Sequence, residues 1–168
     1  MVKFVSRSAA QTRRIAGEVL RECGKGRPLI LALVGELGSG KTTFIQGLAG
    51  ALGIREKVQS PTFVLMKRYR LGGRVRSFRH LVHIDAYRLR RPAEAERLGF
   101  KQLLRDREAV VVIEWADRIR ELVPRGALWI QFKHGRHLGE RVIGCRIQKS
   151  KIKMQEAPGR SSNRSFAF

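Results

Sequence analysis

The sequence predicts an α/β domain built on a central mixed β-sheet flanked by helices. Three observations carry that prediction. An apolar run, Leu29 to Val34, feeds a glycine-rich loop that opens into a helix-compatible stretch, Thr43 to Leu52. A second uniformly apolar run, Ala109 to Ile113, reads as a strand buried on both faces of a parallel sheet. Two further strand-like segments, Leu128 to Phe132 and Val142 to Ile147, read as a closing hairpin.

The elements follow in order. Ser6 to Arg21 is an amphipathic helix in which Ser8 suits the N-cap. Gly24 to Pro28 breaks it, and the buried strand Leu29 to Val34 follows. The next helix starts near Lys41 and ends at Leu52, where Gly53 fits the left-handed position. Ser60-Pro61 opens a turn, after which Phe63, Val64, Leu65 and Tyr69 read as a strand. Leu71-Gly-Gly-Arg74 signals a hairpin whose return strand contains Leu81 to Ile84 and ends at Asp85. Pro92 to Leu98 suits a helix with proline in its first turn, closed by Gly99. The reading is a single domain over 1–148, followed by a basic tail over 149–168. That tail is polar, turn-rich and aperiodic, and is expected to be disordered.

Composition bounds the function. With 168 residues, 43% of them hydrophobic, the chain can bury one ordinary core. The N-terminus has no apolar signal core, and no run approaches the ~20 residues of a membrane helix. Cys23 and Cys145 lie far apart and outside any C-x-x-C pattern, so they read as reduced thiols in a cytoplasmic protein. The net charge is +21, and it attracts polyanions, RNA foremost. Of 35 cationic residues 25 are arginine, which a coding bias also produces, and they are spread along the chain.

Residues 35–42, Gly-Glu-Leu-Gly-Ser-Gly-Lys-Thr, complete the pattern G-x-x-x-x-G-K-[ST] between a strand and a helix, the setting of a phosphate-binding loop. The chemistry needs these residue types. Gly38 and Gly40 let the chain turn so that backbone N–H groups point at phosphate oxygens. Ser39 and Thr43 complete the loop and the first helical turn, whose dipole favours anions. Lys41 can reach the β- and γ-phosphates, and the Thr42 hydroxyl suits Mg²⁺. The domain is therefore expected to be P-loop NTPase-like.

Such a loop needs acidic partners. Glu114 ends the Ala109 to Ile113 strand, at the sheet edge where α/β proteins bind ligands. It can hold Mg²⁺ or act as a general base. Asp85 ends another apolar strand and can order metal-bound water or accept a proton, or else pair with Arg88 or another neighbouring arginine. Thr62 either senses Mg²⁺ or the γ-phosphate from a switch segment or caps a turn. His80, His83, His134 and His137 form no metal-ligand pattern.

Four segments in this order resemble the TsaE (YjeE) family, bacterial ATPases of tRNA threonylcarbamoyladenosine synthesis. They are Gly35 to Phe44, Ser60 to Phe63, His83 to Leu89 and Ile113 to Asp117. The similarity runs from about Ser6 to Ile147. It implies a Mg²⁺-dependent ATPase that acts with TsaD-like and TsaB-like proteins to modify an adenosine next to the anticodon. It further implies that Glu114 and Thr42 hold Mg²⁺, that Asp85 is catalytic, and that Thr62 belongs to a nucleotide-sensing loop. The resemblance also places Trp115 and Arg136 near the nucleotide and brings Thr12 toward its base. Two departures stand out: Lys67 to Arg91 carries nine Lys and Arg against the single Asp85, and the tail is unusually basic, which leaves direct tRNA contact open. Two rival readings share the loop: a small-molecule kinase with Asp85 as base, and a nucleotide-gated RNA-binding assembly factor.

Overall fold

The computed structural model describes residues 2–23, 28–72, 78–89, 91–97 and 99–146. Seven strands are present among them: β1 (Val2–Ser6), β2 (Leu29–Gly35), β3 (Met66–Arg70), β4 (His80–Asp85), β5 (Ala109–Glu114), β6 (Leu128–His134) and β7 (Arg141–Arg146). The helices are α1 (Ala9–Cys23), α2 (Lys41–Ala51), α3 (Pro92–Arg97) and α4 (Phe100–Leu103), with 3-10 turns at Ala86–Arg88 and Ala116–Leu122.

The strands form one sheet in the order β1-β7-β6-β2-β5-β4-β3. Its centre, β6-β2-β5-β4, is parallel, and β3, β7 and β1 join antiparallel. The expected mixed sheet is therefore present, with β2 and β5 side by side. Alternation along β2 divides the core. Leu29, Leu31 and Leu33 face α1 and α2, where Phe44, Ile45 and Leu48 meet them, while Ile30 and Ala32 face α4 and the Ala116–Leu122 turn. Each fully buried Leu, Ile or Phe contributes about 1.5–3 kcal/mol, so these two layers hold the sheet edge in place.

Ser8 caps α1 by accepting the Gln11 N–H at 3.1 Å, as its position predicts, although the helix begins at Ala9 rather than Ser6. The residues before it form β1, which the sequence reading missed. Its partner β7 lies at the far end of the chain, and no local signal encodes such a pairing. The strand expected from Phe63 begins only at Met66. Pro61 starts a turn closed by the Val64 N–H on its carbonyl at 2.9 Å, and Leu65 adopts φ 62°. Phe63 and Val64 are consequently exposed. The turn of the 71–74 hairpin from residue 73 onward, Leu98, Ile147 and the tail over 149–168 lie outside the described residues.

Candidate functional site

The parallel register brings the carboxyl ends of β2, β4 and β5 to one edge, with Asp85 directly beside Glu114. Along β4, Leu81, His83 and Asp85 share the face turned toward α2. A cleft of about 430 Å³ opens there, lined by Gly38, Gly40, Lys41, Thr42 and Thr43 on one side and Thr62, Asp85, Glu114 and Trp115 on the other. Nine of the residues expected at the site thus converge on one cleft.

The loop geometry follows from its residues. Gly38 and Gly40 take φ 71° and 99°, left-handed values that strain any other residue. Gly40 is the N-cap of α2, and the first intrahelical bond runs from Phe44 N–H to Gly40 O at 2.9 Å. The N–H groups of Lys41, Thr42 and Thr43 precede that bond and are the donors a helix N-terminus offers an anion. Ser39 is fully buried and turns its hydroxyl onto the Glu36 carbonyl at 2.7 Å, so it shapes the loop from within.

The Lys41 ammonium donates to the Gly35 and Glu36 carbonyls at 2.7 and 2.8 Å and lies 3.9 Å from the Trp115 ring centroid. Burial holds its pKa below the ordinary lysine value, against the opposing pull of Glu114, Asp85 and Asp117. Trp115 is held at φ 56°, a strained conformation for a bulky residue, and its ring also meets Tyr87 at 5.1 Å.

The acidic side is built around two carboxylates. Both Glu114 oxygens stand 3.1 Å from the Thr42 hydroxyl, which donates to them. Glu114 Oε1 also lies 2.8 Å from His83 Nε2. The carboxylate only accepts, so the ring donates from Nε2. Nδ1 is buried with no hydrogen-bond partner among the described residues. Asp85 Oδ2 accepts from Ser60 Oγ at 2.6 Å and Thr62 Oγ1 at 2.5 Å, and Oδ1 accepts the Tyr87 N–H at 2.9 Å. Among the described residues Asp85 forms no ion pair with Arg88, whose guanidinium instead lies 4.5 Å from the Phe63 ring centroid. Thr42 and Glu114 together present a compact set of hard oxygen donors, which suits Mg²⁺.

Two expected residues stand apart from the cleft. Thr12 is buried on α1, its hydroxyl 2.7 Å from Ser6 Oγ, and its methyl backs onto Gly40. Arg136 has an exposed side chain, and its backbone N–H donates to Glu140 at 3.1 Å. Other residues of the site had not been singled out. Arg141 donates to the Gly38 carbonyl from Nε and Nη2 at 3.2 and 3.0 Å, and no motif marks it. Ser60 and Tyr87 line the cleft beside residues that had been named. His83 had a legible signal, because it sits two residues before Asp85 and so shares its face.

A glycine-rich loop between β2 and α2, with acids ending the adjacent strands, defines a protein of the P-loop NTPase-like fold. The solved structure of Bacillus subtilis YdiB matches with a TM-score of 0.66 and 31% identity, over 84% of this chain and 82% of that one. The family model for threonylcarbamoyl adenosine biosynthesis protein TsaE matches residues 6–143, and the chain belongs to that family. Curated relatives carry the name tRNA threonylcarbamoyladenosine biosynthesis protein TsaE. The Treponema pallidum protein is 35% identical over 79% of this chain and 91% of its own length. The Bacillus subtilis protein is 40% identical over 62% of this chain and 61% of its own length, about three fifths of that relative.

Proposed function

We propose that this chain is a Mg²⁺-dependent ATPase that supports threonylcarbamoyladenosine modification of tRNA together with TsaB-like and TsaD-like proteins. The observation that carries the reading is the bonded pair Thr42–Glu114 at the mouth of the phosphate-binding loop, with Asp85 alongside. Thr42 and Glu114 are the residues to hold Mg²⁺, which when bound neutralises charge on the β- and γ-phosphates. Lys41 and the loop N–H groups stabilise the negative charge that grows on the transferred phosphoryl oxygens. Lys41 reaches them by exchanging its two carbonyl partners for phosphate oxygens. Asp85 orients the attacking water and accepts its proton, while Ser60 and Thr62 hold its carboxylate.

Burial of Lys41, Glu114 and Asp85, each under 5% exposed, strengthens these interactions by excluding bulk water. Phosphate release from ATP, measured alone and with TsaB, TsaD and tRNA, tests the reading. Slow release alone and stimulation by the pair are expected, as is loss of turnover in Lys41→Ala with the fold intact. Undiminished turnover in that variant, or no response to the pair, contradicts it.

A further inference from the structure

The helices cover the sheet unevenly. On the face opposite α1 and α2, α4 and the Ala116–Leu122 turn pack over β4, β5 and β2. The register sets what β6, β7 and β1 present on that same face. Ala32 stands beside Trp129, which pairs with Arg146, and Val34 stands beside Gln131, which pairs with Gly144 and then Lys3. Lys3, Gln131, Lys133 and Arg146 are exposed there, and Trp129 is half-buried.

At one end of this face lies a second cleft of about 620 Å³, lined by Arg120, Arg125, Trp129, Gln131 and Arg146, with Asp117 the one carboxylate in its wall. The Arg120 guanidinium lies 4.9 Å from the Trp129 ring centroid. None of these side chains lines the nucleotide cleft, and the inference does not depend on ATP hydrolysis.

We propose that this open half of the sheet binds single-stranded RNA, with Trp129 and its stacked Arg120 as a base platform and Arg125, Arg146 and Lys133 following the phosphates. An aromatic plane set among cations on an exposed sheet is the arrangement that stacks unpaired bases while neutralising their backbone. The chain's own C-terminal residues are poor occupants. Lys149, Lys151, Lys153, Arg160 and Arg164 outnumber Glu156 there, so their charge does not complement that of the face.

The probe is a fluorescein-labelled single-stranded oligoribonucleotide, titrated with the full chain by anisotropy over a salt series. The triple variant Arg120→Ala, Arg125→Ala, Arg146→Ala removes only exposed side chains. It is expected to flatten the slope of log K against log salt by about 1.4, from the two phosphate contacts of Arg125 and Arg146 at roughly 0.7 each. Trp129→Ala is expected to weaken binding about 5- to 150-fold at fixed salt, and Trp129→Phe to retain most of it. Arg68→Ala with Arg70→Ala, on the opposite sheet edge, is expected to change nothing. ATP hydrolysis by the triple variant is expected to match wild type. Three outcomes overturn the proposal: no binding by wild type at low salt, which leaves the face to an acidic protein surface; wild-type affinity in both Trp129→Ala and the triple variant; or an equal loss in the Arg68 and Arg70 control. Should Trp129→Ala unfold, the salt slope of the triple variant decides alone.

Discussion

Asp85→Asn separates the two roles that Asp85 combines. The carboxylate is 2% exposed and accepts three hydrogen bonds, from Ser60 Oγ, Thr62 Oγ1 and the Tyr87 N–H. Asparagine keeps one carbonyl oxygen for Tyr87, and its amide can donate to both hydroxyls, which can also accept. No buried group is orphaned. What changes is charge: bonds to an ionised group contribute about 1.5–3 kcal/mol and neutral ones about 0.5–1.5, a loss of roughly 1 kcal/mol per bond. Two to three such bonds predict a fall in stability of about 2–3 kcal/mol, which lowers Tm by roughly 5–10 °C in a domain of this size. Turnover is expected to fall much further, by about 10²–10⁴, because asparagine cannot take the proton. Thermal melts and phosphate release with TsaB and TsaD present read the two effects separately. Turnover within about threefold of wild type would refute the assignment of Asp85 to the attacking water.

Three other perturbations follow from the geometry. His83→Phe keeps the bulk but removes the Nε2 donor to Glu114, so the Mg²⁺ concentration for half-maximal ATP hydrolysis should rise about 10- to 100-fold; an unchanged midpoint would reduce His83 to filler. Gly47→Ala puts a Cβ 2.4 Å from the Arg13 Cα and carbonyl oxygen, so α1 and α2 must part. The overpacking cost of about 1–3 kcal/mol exceeds the ~1 kcal/mol gained in helix propensity, and urea denaturation should show a net loss. Arg141→Ala frees the Gly38 carbonyl, and because that contact is exposed its loss should weaken ATP binding only about 2- to 5-fold by calorimetry. A larger effect from Arg136→Ala would show that the solvent-facing Arg136 swings onto the nucleotide.

The parts of this fold that were legible in the sequence are those specified by local patterns. The apolar runs of β2 and β5, the left-handed glycines of the loop and the Ser8 cap each leave a signature within a few residues. Asp85 and Glu114 could be found because each ends a strand, and parallel pairing makes such ends neighbours. Non-local contacts leave no such trace. The β1–β7 pairing and the reach of Arg141 to Gly38 join distant segments, and only the folded sheet brings them together. Phe63 to Leu65 misled in the opposite direction. Their strand propensity is real, but the Pro61 turn and the bonds from Ser60 and Thr62 to Asp85 hold that stretch out of the strand, which starts at Met66.

The central claim is that Thr42 and Glu114 hold the metal of an ATP-hydrolysing site. The most direct measurement is phosphate release as a function of Mg²⁺, for wild type and Glu114→Ala, with TsaB and TsaD present and a chelator as zero point. The account predicts no release in chelator, saturation with Mg²⁺ in wild type, and a requirement raised by about 10- to 100-fold or more in Glu114→Ala. Release that persists in chelator, or the same Mg²⁺ dependence in both proteins, would contradict it.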